Sequence, residues 1–174
     1  MFEDWHDFYL LVGGAAGALI GLLFVVASLT GGMGRQNATR GASLYLTPTL
    51  FHFGVVLAVA ALAMAPGVTH RAAAWIVGGC ASAGLAYAVV AAVGIQFGET
   101  SDPPHWSDVW CYGVGPAVCY LGVAASGVAL AEASPAAPFD LAIALTVLMF
   151  VSIRNAWDLI TWIAPRVNAK EDGL

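Results

Sequence analysis

Five long apolar stretches constrain this chain more than any other feature of its sequence. They cover residues 8–29, 44–64, 72–97, 109–131 and 139–164. A transmembrane helix needs about 20 consecutive apolar residues to cross a hydrocarbon core of about 30 Å. Glycine and proline, which are typical of turns, stand in the breaks between the stretches. The sequence therefore predicts an all-α, polytopic membrane bundle, with residues 1–174 as one integral membrane domain of five transmembrane helices.

The composition agrees with a lipid environment. The chain is 60% hydrophobic and 10% charged, and its mean hydropathy is +0.81. Soluble domains are about 25% charged. The net charge of −5 argues against a nucleic-acid partner, because phosphate backbones attract basic surfaces. We expect membrane lipids to surround this protein.

The distribution of Lys and Arg predicts the orientation of the bundle. Arg35 and Arg40 in the first loop lie on the same side as Arg166 and Lys170 in the tail, whereas Arg71 lies on the other side. Short cytoplasmic loops carry the excess of basic residues. We therefore expect the N-terminus outside and the C-terminus in the cytoplasm. The acidic N-terminus does not resemble a cleavable signal peptide, whose start is basic. We expect the protein to reside in a bacterial inner membrane.

Three glycines in the first stretch favour close helix packing. Gly13, Gly17 and Gly21 recur every four residues, so they share one helix face and allow another backbone to approach. Packing within one chain is one interpretation of this face. The other is an interface between identical subunits, so the sequence predicts a homo-oligomer.

The fourth stretch contains a helix-distorting sequence. Gly113, Gly115 and Pro116 lie close together, and proline removes a backbone donor and kinks a helix. Such kinks are common in membrane helices, and some of them act as hinges. We predict a kink here and leave a hinge as the functional alternative.

Charged residues inside the fifth stretch indicate a site. Arg154 and Asp158 are one helical turn apart and can pair, with Asn155 beside them and Thr161 continuing the face. Each charge costs about 2.5–3.5 kcal/mol or more in hydrocarbon, so such residues usually face protein or water. Counted from Ala164, Asp158 lies about 9 Å and Arg154 about 15 Å inside the boundary.

The second stretch offers matching polar residues. Thr49 and His52 share a helix face, and His52 also lies about 9 Å inside the same boundary. We therefore predict one buried polar layer of His52 with the Arg154–Asp158 pair. The layer is either a structural clamp, in which these side chains satisfy one another, or the lining of a pathway.

These residues lead to a functional expectation. We expect a homo-oligomeric channel or small transporter for an ion or small solute, with a pathway lined by the second and fifth stretches. The alternative is a non-catalytic membrane subunit that binds and stabilises a larger complex. We expect no enzyme, because GxSxG, HExxH and phosphate-binding glycine loops do not occur in the sequence. A lone intramembrane histidine predicts no metal and no cofactor.

Overall fold

The protein is an all-helical bundle of five long helices. The computed structural model describes residues 1–30, 46–97 and 106–171, except for the side chains of 29, 30, 97, 106, 108 and 162–171. The long helices are α1 (His6–Thr30), α2 (Thr47–Met64), α3 (His70–Phe97), α4 (Gly115–Ala131) and α5 (Ala137–Glu171). A 3₁₀ turn precedes α1, and a helical turn and a π-helical segment, Trp110–Val114, precede α4. These ranges contain no strand.

The prediction of five apolar helices is confirmed. All five are long and apolar enough to cross a membrane, which indicates an integral membrane protein. The direction in which they cross stays a prediction. Residues 44 and 45 of the second predicted stretch, the first-loop arginines and residues 98–105 lie outside the described residues.

Helix α2 is the central element of the bundle. It packs against α1, α3 and α5, and one of its side chains reaches α4. Half of its apolar window is buried, against 22% of the corresponding windows in α1 and α3. The position of α2 explains why its polar side chains are enclosed by protein.

Two contacts fix the remaining helices around this centre. The hydroxyl of Tyr9 in α1 donates to the carbonyl oxygen of Pro138 at the start of α5, over 2.8 Å. Gly127 of α4 approaches the backbone of α3 so closely that a Cβ there would lie 3.5 Å from the nitrogen of Gly78. Small residues allow such close packing.

Candidate functional site

The polar face of α2 is sealed inside the bundle. Thr49 and His52 have no solvent-exposed surface. Nδ1 of His52 lies 2.8 Å from the hydroxyl oxygen of Tyr120 in the middle of α4. The two rings are 5.5 Å apart. Tyr120 is therefore the hydrogen-bond partner of His52, and this pair joins α2 to α4.

A glycine on α3 provides the space for Tyr120. A Cβ at Gly84 would overlap the tyrosine ring. Tyr120 is fully buried, and its hydroxyl needs a hydrogen-bond partner there. Neither Tyr120 nor Gly84 was predicted as a site residue from the sequence. A buried tyrosine in an apolar helix was the available signal, because a buried hydroxyl requires a partner.

The other ring nitrogen of His52 is buried among the described residues without a hydrogen-bond partner. Whether Nδ1 donates to Tyr120 or accepts from it depends on the tautomer of the ring. In either case, one buried nitrogen stays unsatisfied within the described part of the chain. Such groups lower stability by about 1–3 kcal/mol.

Asn155 is the polar centre of α5. Its side chain is fully buried, and Nδ2 donates to the carbonyl oxygen of Cys111 over 2.8 Å. The hydroxyl of Tyr112 donates in return to the carbonyl oxygen of Asn155 over 2.9 Å. Two hydrogen bonds in opposite directions thus join α5 to the π-helical segment before α4.

The backbone of that segment explains why Asn155 is needed. The N–H of Gly115 donates to the carbonyl oxygen of Trp110, five residues back, instead of that of Cys111. In a π-helix, the carbonyl oxygen of Cys111 would accept from the N–H of residue 116, but that residue is Pro116, which has no N–H. The carbonyl of Cys111 therefore loses both helical donors, and Asn155 supplies the replacement.

A π-helical segment lies where the kink was predicted. A Cβ at Gly113 would lie 2.5 Å from that of Ala92 in α3, and one at Gly115 would lie 3.1 Å from the carbonyl oxygen of Trp110. Pro116 is buried in the first turn of α4. Gly113 therefore allows the close approach to α3, whereas the space at Gly115 is only tight. The kink and the hinge stay predictions.

The Arg154–Asp158 pair lies on the outer face of the bundle. Nη1 of Arg154 is 2.7 Å from Oδ2 of Asp158, as the one-turn spacing predicted. Their side chains are 43% and 40% exposed, however. The prediction that this pair is buried in one layer with His52 is therefore wrong. The spacing placed the pair on one helix face, and Asn155 occupies the inward face instead.

The depth of the pair also changes. Helix α5 does not end at Ala164 but continues to Glu171. Counted from Ala137, Arg154 lies about 25 Å and Asp158 about 31 Å along the helix. A hydrocarbon core is about 30 Å thick. With Ala137 taken as the start of the core, the pair lies near its far end, from which a long arginine side chain can extend towards the interface.

Thr161 follows the pair along the same exposed face. Its hydroxyl bonds within the helix, 2.9 Å from the carbonyl oxygen of Asp158 and 3.1 Å from that of Trp157. A pathway lined by Thr161 and the ion pair stays a prediction.

The three glycines of α1 have different surroundings. A Cβ at Gly13 would lie 3.0 Å from that of Ala60 in α2, so this glycine packs within the chain. No described atom would lie within 4 Å of a Cβ at Gly17 or Gly21. Self-association through these two glycines stays a prediction.

An outward-facing groove lies between α4 and α5. Its volume is about 370 Å³. Gly122, Ala125 and Ser126 line it on α4, and Asp140, Ile143 and Val147 line it on α5. The groove is largely apolar and borders the face that carries the ion pair further along α5.

Within the described ranges, His, Cys, Asp and Glu do not gather in a group of three that could hold a metal ion. No protein-family model, curated protein or solved structure matches the chain.

Proposed function

We propose that this protein is a non-catalytic membrane subunit that docks against another transmembrane chain through the outer face of α5. The observation that carries the proposal is the exposed Arg154–Asp158 pair. Charged residues within transmembrane segments usually face protein, and a protein partner would cover the exposed part of this pair.

The enclosed polar residues support a structural role. His52 bonds to Tyr120, and Asn155 exchanges hydrogen bonds with the segment before α4. These contacts join α2 to α4 and α5 to α4, as a clamp would. The polar face of α2 is therefore closed in this conformation, which favours a docking subunit over a pathway through one chain.

The proposal includes a bacterial inner membrane, with the N-terminus outside and the C-terminus in the cytoplasm. The excess of Lys and Arg on one side of the predicted spans supports this orientation.

Site-specific photocrosslinking in intact membranes tests the docking face. A photoreactive amino acid replaces Trp157 on the proposed face or Val90 on α3, as a matched control. Both residues are 67% exposed, and each lies about 30 Å from the start of its helix. The proposal predicts a protein adduct from position 157 and none from position 90. Lipid adducts alone at both positions would contradict it.

A channel or small transporter formed between subunits is the second candidate. Arg154, Asp158 and Thr161 follow one exposed face of α5, and a ring of copies would bring these faces to a common axis. The test is ion flux through vesicles that contain the purified protein. This candidate predicts flux whose selectivity changes in Asp158→Asn. Vesicles as impermeable as protein-free vesicles would contradict it.

A further inference from the structure

We infer that the partner of the proposed docking face is a second copy of this chain, with the two α5 helices packed side by side around a two-fold axis along the membrane normal. This inference rests on the proposed function and adds the identity of the partner. Spacing, charge and the neighbouring groove support it independently.

The exposed residues of α5 have the spacing of a helix-pairing surface. Steps of four and three residues alternate along a line that we call the α5 seam. The seam consists of Ile143, Val147, Phe150, Arg154, Trp157 and Thr161, all of which are exposed. This alternation is the heptad repeat by which two similar helices pack along their length. Left-handed helix pairs of this type are common in membranes.

The charges on the seam are self-complementary. Arg154 occupies a central position of the repeat, and Asp158 flanks it. In a two-fold pair of parallel helices, each Arg154 can reach the Asp158 of its own helix and that of the other copy. Each copy's pair is already neutral through its own ion pair, so two copies can meet on this face without net charge and without another charged molecule. Flanking positions of a heptad commonly form such interhelical ion pairs.

The groove between α4 and α5 can receive the seam of a second copy. It lies at the depth of Ile143 and Val147, which form one of its walls. The opposite wall contains the small residues Gly122 and Ala125, and small residues let helices approach closely in a membrane. At equal depth, Ile143 and Val147 of the second copy are the side chains that face this groove.

Disulfide crosslinking in native membranes tests the identity of the partner. Trp157→Cys places a thiol on the seam, and Val90→Cys is the control of equal exposure on α3. The inference predicts a dimer of this chain upon oxidation of Trp157→Cys, but not of Val90→Cys or of the parent. A photo-adduct at position 157 with a different protein, without a disulfide dimer, would overturn the inference and leave the proposed function intact. The absence of both products would contradict both.

Charge exchange between two tagged copies tests the pairing of the ions. Arg154→Asp gives a copy with two acids on this face, and Asp158→Arg gives a copy with two bases. We expect each variant alone to lose self-association, whereas co-expression restores it as a mixed pair. Recovery of the mixed pair also shows that both variants fold. Self-association of either variant at the level of the parent would overturn the inferred ion pairing. Two variants that are both monodisperse but do not pair with each other would overturn it as well.

Discussion

Nδ2 of Asn155 donates to the carbonyl oxygen of Cys111 over 2.8 Å, and this bond compensates for a defect in the helix that precedes α4. The defect follows from the sequence. Gly115 donates to Trp110, and Pro116 cannot donate at all, so Cys111 has no donor within its own helix. A polar residue in α5 thus stabilises an irregular segment over 40 residues away in the chain.

Removal of the Asn155 amide is expected to weaken the bundle. Asn155→Ala leaves the carbonyl oxygen of Cys111 without its donor, and we expect the free energy of unfolding to fall by about 1–3 kcal/mol. Denaturation in detergent micelles measures the loss. Ser152→Ala is the matched control, because the Ser152 hydroxyl is equally buried but bonds within α5, to Leu148. Equal losses in the two variants would show that the link between the helices contributes nothing.

The space that Gly84 leaves for Tyr120 gives a second prediction. Gly84→Ala places a methyl group where the tyrosine ring lies, and we expect overpacking to cost about 1–3 kcal/mol. Gly79→Ala on the same helix is the control, since no described atom lies within 4 Å of its Cβ position. Thermal unfolding of both variants in the same detergent provides the measurement. If Gly84→Ala and Gly79→Ala unfold at the same temperature, the position of the Tyr120 ring is contradicted.

The ion pair on α5 should contribute little to the stability of a single chain. Both side chains are about 40% exposed, and exposed pairs contribute about 0–1 kcal/mol. We therefore expect Asp158→Asn to lower the free energy of unfolding of the monomer by less than about 1 kcal/mol. If Asp158→Asn lowered the free energy of unfolding by several kcal/mol, and additional replacement of Arg154 by Ala recovered that stability, the pair would instead be dry and buried.

The orientation of the bundle is the fourth prediction. The excess of Lys and Arg beside the first loop and the tail leads us to expect an external N-terminus and a cytoplasmic C-terminus. Reporter fusions at both ends measure this directly. Alkaline phosphatase activity from a C-terminal fusion would reverse the assignment.

The sequence predicted the helices well because each apolar stretch carries its own signal. The five predicted stretches agree with the described helices, apart from the end of α5, where a helix continues after the apolar residues stop. Periodicity also put Arg154 and Asp158 on one face. It could not determine whether that face points inward, because burial depends on the neighbouring helices.

The partners of the buried polar residues could not be predicted in the same way. Tyr120 is separated from His52 by 68 residues, and helix periodicity carries no information on which helices become neighbours. Cys111 is a partial exception. Pro116 predicts a carbonyl oxygen without its donor in the preceding turn, but in an α-helix that oxygen belongs to Tyr112. Only the π-helical geometry makes Cys111 the residue that lacks a donor.

The central claim is that the polar interior is sealed, and the water accessibility of position 52 tests it most directly. In a background with the three native cysteines replaced by alanine, His52→Cys is treated with a small water-soluble thiol reagent in lipid vesicles. Glu132→Cys, at an exposed position in the turn between α4 and α5 and outside both spans, is the reactive control. The account predicts that position 52 stays unlabelled while position 132 reacts. Labelling of position 52 at the rate of position 132 would contradict it and favour an open pathway along α2.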